Sequence, residues 1–177
     1  MGRRHPNEGV PLYLLAPLKH EKFNLIAKET GPALYRYAYR MLGDSATAKD
    51  MVQEALMRLW EKRATVDPEK SKPWLYTTVS RLCLQRLKES KRYTLEDCFS
   101  TTNTVEQTTP DLKKIVNESL DLLTETQRAV LLLRDLEGYH YKEIAEILKI
   151  TESNARLYLF RARKKIKDYL KHIEYIL

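Results

Sequence analysis

Residues 124–170 read TETQRAVLLLRDLEGYHYKEIAEILKITESNARLYLFRARKKIKDYL, and their pattern decides the fold. Thr124 with Gln127 three residues on is a capping box, which predicts a helix from Glu125. Ala129, Val130, Leu133 and Leu136 give that helix one apolar face, and Gly138 supplies its stop. A second short helix, Tyr141 to Leu148, turns Ile144, Ala145, Ile147 and Leu148 inward. After a turn at Lys149–Ile150, Thr151 caps a third helix with the stripe Ala155, Leu159, Ala162, Ile166 and Leu170.

Two short helices, a tight turn and an arginine-rich second partner make a helix-turn-helix. Opposite the buried stripe of the third helix, Ser153, Asn154, Arg156, Leu157, Phe160, Arg161 and Lys164 share one face. Arginine suits such a face because its fork grips guanine edges or phosphates with two bonds. The competing reading is a basic, merely solvated helix. Caps, turn and basic face occur together here, so the expectation is a DNA-recognition helix.

Charge agrees with a polyanionic partner. Thirty-one Lys and Arg against 24 Asp and Glu leave +7 over 177 residues. Five glycines and seven prolines predict an all-α fold. Its architecture is read as two small helical domains on a flexible linker, the C-terminal one the helix-turn-helix. Two cysteines, Cys83 and Cys98, are too few for a disulfide framework, which points to a reducing cytoplasm. No apolar run reaches the roughly 20 residues of a membrane span. Residues 1–20 form an N-terminal extension that lacks a signal peptide's long apolar core, and it reads as a flexible tail or expression remnant.

Upstream, the domain at 21–92 opens with a helical pattern from Phe23 to Leu42, for which Gly31–Pro32 predicts a break or fresh start. The next helix is the most regular in the chain: Ala48, Met51, Val52, Ala55, Leu56, Leu59 and Trp60 recur at threes and fours. Its outer face carries Asp50, Gln53, Glu54, Met57 and Glu61. An acidic stripe with an exposed methionine on a basic protein reads as a protein-docking surface or as an ordinary solvated face.

A polar loop follows, and Pro73 then stands in the first turn of a helix whose inner stripe is Trp74, Leu75, Val79, Leu82 and Cys83. The other face runs Thr77, Arg81, Gln85, Lys88 and Arg92. Residues 81–92 hold five basic side chains against one acid. Trp74 and Tyr76 stand beside this charge; aromatic groups among cations suit unpaired bases, though Trp74 equally suits the core. Residues 93–110, threonine-rich and aperiodic, read as a linker whose coil spans roughly 25 Å and whose extended limit is roughly 60 Å. The helix-turn-helix domain then occupies 111–177.

Scattered histidines and the lack of a phosphate-binding glycine loop or nucleophile elbow give no catalytic, metal or cofactor site. The expectation is a protein that is no enzyme.

Three segments now carry a resemblance: AKDMVQEALMRLWEKR (48–63), PWLYTTVSRLCLQRLK (73–88) and YKEIAEILKITESNARLYLFRARKKI (141–166). In this order and spacing they resemble the extracytoplasmic-function sigma factors of bacterial RNA polymerase. The resemblance implies that Asp50, Gln53, Glu54 and Met57 meet the β′ clamp helices of core polymerase, with the β flap as a further contact. It implies minus-ten recognition and melting by the 66–71 loop, with Asp67 and Lys70, and by the 73–92 helix. On that helix the residues are Trp74, Tyr76, Thr77, Arg81, Gln85, Lys88 and Arg92. The helix from Glu152 would read the minus-thirty-five element through its exposed face, and an anti-sigma factor is a possible partner. Arg81 and Gln85 stand where relatives usually carry Asn and Asp, His140 replaces Ser or Thr, and Leu157 replaces a small polar residue. Two other functions fit the composition: a stand-alone helix-turn-helix regulator, and a helical interaction protein whose charge is incidental.

Overall fold

The computed structural model describes residues 18–96 and 112–176, and among them every regular element is helical. Most of the N-terminal extension and most of the expected linker, Cys98 included, lie outside the described residues.

Three helices build the first lobe: α1 (His20–Leu42), α2 (Ser45–Glu61) and α3 (Ser71–Glu96). Gly43 ends α1 with a φ of 74° and donates its N–H to the Tyr39 carbonyl, the left-handed stop that glycine adopts without strain. Asp44 caps α2 by accepting from the Thr47 N–H at 2.7 Å. The predicted stripe of α2 is inside: Ala48, Val52, Ala55 and Leu59 are buried against Leu34, Tyr37, Ala38 and Met41 of α1 and Leu75, Val79 and Cys83 of α3. Burial pushes the Cys83 thiol up to about 12. The Tyr37 hydroxyl is satisfied in this core by Ser80 at 2.8 Å.

The break expected at Gly31–Pro32 is not there. α1 runs through Pro32, because residues on both sides of the proline, Phe23 and Ile26 before and Leu34 and Tyr37 after, pack into one core. Packing on that scale outweighs one missing helix bond. The 62–72 loop is shorter than expected. Asp67 caps a 3-10 turn (Pro68–Lys70) by accepting from the Glu69 N–H at 3.0 Å, and α3 begins at Ser71.

The second lobe comprises α4 (Leu112–Asp121), α5 (Glu125–Leu131), α6 (Tyr141–Leu148) and α7 (Glu152–Ile176). The Thr124–Gln127 capping box is present, with both bonds at 3.3 Å. Past Leu131 the helix widens into a π segment (Leu132–Leu136), where the Glu137 N–H reaches back to Leu132 at 3.1 Å. Leu136 thereby leaves the apolar face assigned to it and is exposed, as is Leu170 near the end of α7. Ala129, Val130, Leu133, Ile144, Ala155, Leu159 and Ala162 form the buried centre.

The two lobes touch. α3 packs along α6, α1 and α3 both meet α5, and α1 also meets the π segment. The reach inferred for an open linker is therefore not used in this arrangement.

Candidate nucleic-acid interface

The exposed face of α7 is built as its spacing predicts. Ala155, Leu159 and Ala162 anchor the helix, while Ser153, Asn154, Arg156, Leu157, Phe160, Arg161 and Lys164 are all exposed. Thr151 fixes where the helix starts by accepting the Asn154 N–H at 3.1 Å. Before it, α6 ends on Lys149 with φ 54°, the single left-handed non-glycine residue among those described, and this compresses the turn.

The side chains on this face are not equally free. Arg156 is ion-paired to Glu152 and lies 4.6 Å from the Tyr141 ring centroid. Arg163 is clamped to Asp135 through two bonds of 3.2 and 2.5 Å. Arg161 and Lys164 project into solvent, and Phe160 is 67% exposed. A cationic groove of about 430 Å³ runs beside them, lined by Tyr141, Arg156, Phe160, Arg163, Lys164 and Lys167. Tyr141, Arg163 and Lys167 were missed by the helical-face argument, because Tyr141 enters the groove from α6 while Arg163 and Lys167 stand on a flank of α7 outside the face that spacing picked out.

On α3 the expected set divides. Arg81, Gln85, Lys88 and Arg92 are exposed, and Thr77 and Trp74 are half-buried. Tyr76 is fully buried, so its ring offers no free face to a base in this arrangement. Its hydroxyl donates to the Glu137 carboxylate, and its ring meets Tyr37 at 5.7 Å and Tyr139 at 5.1 Å, both edge-on. Burial, and then Glu137, push the Tyr76 phenol above its ordinary range. Thr77 spends its hydroxyl on the Pro73 carbonyl at 2.9 Å, and the Gln85 amide donates to Glu89 at 2.9 Å. Of the loop residues, Lys70 is exposed and Asp67 is committed to its cap.

The acidic face of α2 is also real. Asp50, Gln53 and Met57 are exposed, Met57 by 58%. Glu54 is half-buried and accepts from Arg58 one turn on, at 2.6 Å. Beside them a shallow, largely apolar groove of about 590 Å³ is lined by Phe23, Leu56, Met57 and Trp60, with Gln53 and Glu61 at its rim.

Residues at the seam between lobes carried no sequence signal. Arg128 donates to the Met41 carbonyl at 3.0 Å, and Lys91 pairs with Glu125, whose carboxyl this ammonium holds below the usual carboxylate range. Partners separated by tens of residues leave no periodicity to read.

Comparison with known proteins supplies the remaining constraint. Residues 26–93 match the sigma-70 region 2 family and residues 113–166 the sigma-70 region 4 family. The ECF RNA polymerase sigma factor SigM of Bacillus subtilis is 29% identical over 140 residues, covering 76% of this chain and 86% of SigM. SigE of Mycolicibacterium smegmatis is 27% identical over 157 residues, covering 83% of this chain, which spans only 61% of SigE. The sigma factor RpoE of Bartonella quintana, solved with the anti-sigma factor NepR, shares the fold. Its TM-score is 0.71 at 22% identity, over 85% of this chain and 98% of that one.

Proposed function

Since the chain belongs to the extracytoplasmic-function sigma factors, we propose that it delivers bacterial core RNA polymerase to a defined set of promoters. In this reading the 21–92 domain docks on the β′ clamp helices through Asp50, Gln53, Glu54 and Met57, and α3 captures unpaired minus-ten bases. The 111–177 domain contacts the β flap and reads minus-thirty-five duplex through α7. Polymerase supplies the chemistry; this chain supplies binding alone, in the cytoplasm where polymerase works. No described helix is long and apolar enough to cross a membrane. An anti-sigma partner like the one bound to RpoE is part of the proposal.

One observation carries the reading: a single chain presents an exposed acidic face on α2 and a separate basic face on α7. A stand-alone regulator has no use for the first, and an incidental charge has no reason to gather on the second. Capturing unpaired bases costs a few kcal/mol of unstacking, which stacking at roughly 1–3 kcal/mol per base offsets. The test is to mix the purified chain with core polymerase and genomic DNA and sequence the transcript starts. Starts that share no upstream elements, or no dependence on the added chain, would overturn the proposal.

A further inference from the structure

We propose that the apolar groove between α1 and α2 is the seat of the chain's own residues 10–15, and that this segment and core polymerase compete for Met57. The competition rests on the reading of α2 given above; the seat itself does not.

Among the described residues nothing covers the groove. Phe23 and Trp60 form its wall, ring against ring at 5.1 Å, and His20 meets Trp60 edge-on at 5.5 Å. Leu56 and Met57 complete the floor, and Met57 is 58% exposed. Apolar surface in this concave form favours an apolar occupant over water.

Where the chain comes in selects that occupant. Leu18 is buried, and its N–H donates to the Arg63 carbonyl at 2.9 Å, just past the end of α2 at Glu61. The residues before Leu18 are thereby tethered at the Trp60 end of the groove. From Glu61 back to Gln53 the groove follows α2 for about 12 Å, and residues 10–17 can reach about 26 Å. They read VPLYLLAP, with Val10, Leu12, Tyr13, Leu14 and Leu15 apolar, and Arg3 and Arg4 stand ahead of them. Along α2, Glu61 and Asp50 are exposed beside the apolar floor. Cations before an apolar run thus face acids beside an apolar groove, a match of both charge and hydropathy.

The seat overlaps the docking face. Gln53 and Met57 line the groove and belong to the surface proposed for polymerase, and Met57 cannot lie under the segment and against a clamp helix at once. A short tether supplies a local concentration of about 1 mM, so a segment of about 0.1 mM intrinsic affinity holds the seat about ten to one. Polymerase then binds about tenfold more weakly than it would to an open chain.

The test uses the full chain labelled at its methionine methyls, of which there are four: Met1, Met41, Met51 and Met57. Met57→Leu assigns the groove signal, and a soluble paramagnetic agent reports how far each methyl is exposed. Leu12→Ser with Leu14→Ser should raise the relaxation enhancement at Met57 about tenfold. Met41, buried in the core, should not change, which shows that the fold is kept. A wild-type 1–17 peptide, added to the variant at millimolar concentration, should shield Met57 again. The variant should also bind core polymerase about tenfold more tightly. A Met57 methyl as accessible in the wild type as in the variant would overturn the seat. Shielding that survives the serines and fades on dilution would overturn it too, assigning the groove to a second copy of the chain. Release of Met57 with no gain in polymerase binding would overturn the α2 docking reading instead.

Discussion

Arg128 offers the sharpest single test of how the lobes are joined. Its side chain is 12% exposed and makes four bonds. Two go to the Leu120 carbonyl, at 3.0 and 2.6 Å; one to Asp121, at 2.8 Å; and one crosses to the Met41 carbonyl, at 3.0 Å. Met41 lies in the last turn of α1, where carbonyls have no partner within the helix and a cation is favoured by the helix dipole. Asp121 is 73% exposed, so its pair adds little. The two carbonyls are the larger loss. Bonds from a charged donor contribute about 1.5–3 kcal/mol each, and water recovers part, so Arg128→Ala should cost about 2–4 kcal/mol. In urea, with m near 2 kcal/mol/M, that moves the midpoint down by about 1–2 M. Both tryptophans, Trp60 and Trp74, sit in the first lobe, whereas circular dichroism sees every helix. The two traces should coincide in the wild type and separate in the variant, the helical signal falling first. Lysine at 128 should recover less than half, since one ammonium cannot span three acceptors. A loss below about 0.5 kcal/mol, the range of an ordinary surface change, would refute the reasoning.

Four further outcomes are expected. Asp50→Arg with Glu54→Arg should abolish binding to core polymerase at unchanged helicity, and an undiminished pull-down would count against α2 as the docking face. Arg161→Ala should weaken upstream duplex binding by about 1–3 kcal/mol, while Arg156→Ala should cost less because Glu152 and Tyr141 already occupy its guanidinium; equal losses by footprinting would contradict this. Leu157 and Phe160 are exposed apolar residues on the face proposed to read bases, which suits thymine methyls, so Leu157→Ser should remove any penalty for deoxyuridine in place of thymine in the upstream element. Lys88→Ala with Arg92→Ala should spare duplex recognition and reduce open-complex formation, measured by permanganate reactivity of unpaired thymines.

What could be read along the chain is what depends on near neighbours. The caps at Thr124 and Thr151, the stripe of α2 and the exposed face of α7 each rest on spacings of three or four, and each is found. Pro32 misled because a local cost was weighed without the core on both of its sides. Leu136 misled because a π segment shifts the register that a period of 3.6 assumes. Tyr76 sits beside basic residues in sequence yet points into a contact with Glu137, 61 positions away. The meeting of the lobes was invisible for the same reason, as its bonds join residues with a whole helix or more between them.

The widened turn at Leu132–Leu136 has an evolutionary consequence. One residue in a regular helix is worth about a hundred degrees of rotation, so the loop-out aims Glu137 in a direction that an unbroken spiral would give to another side chain. Losing a single codon there would leave the exposed face of α7 intact and still re-aim the acid that accepts from Tyr76. Two such proteins would present the same outer helix and differ in how their lobes are fastened.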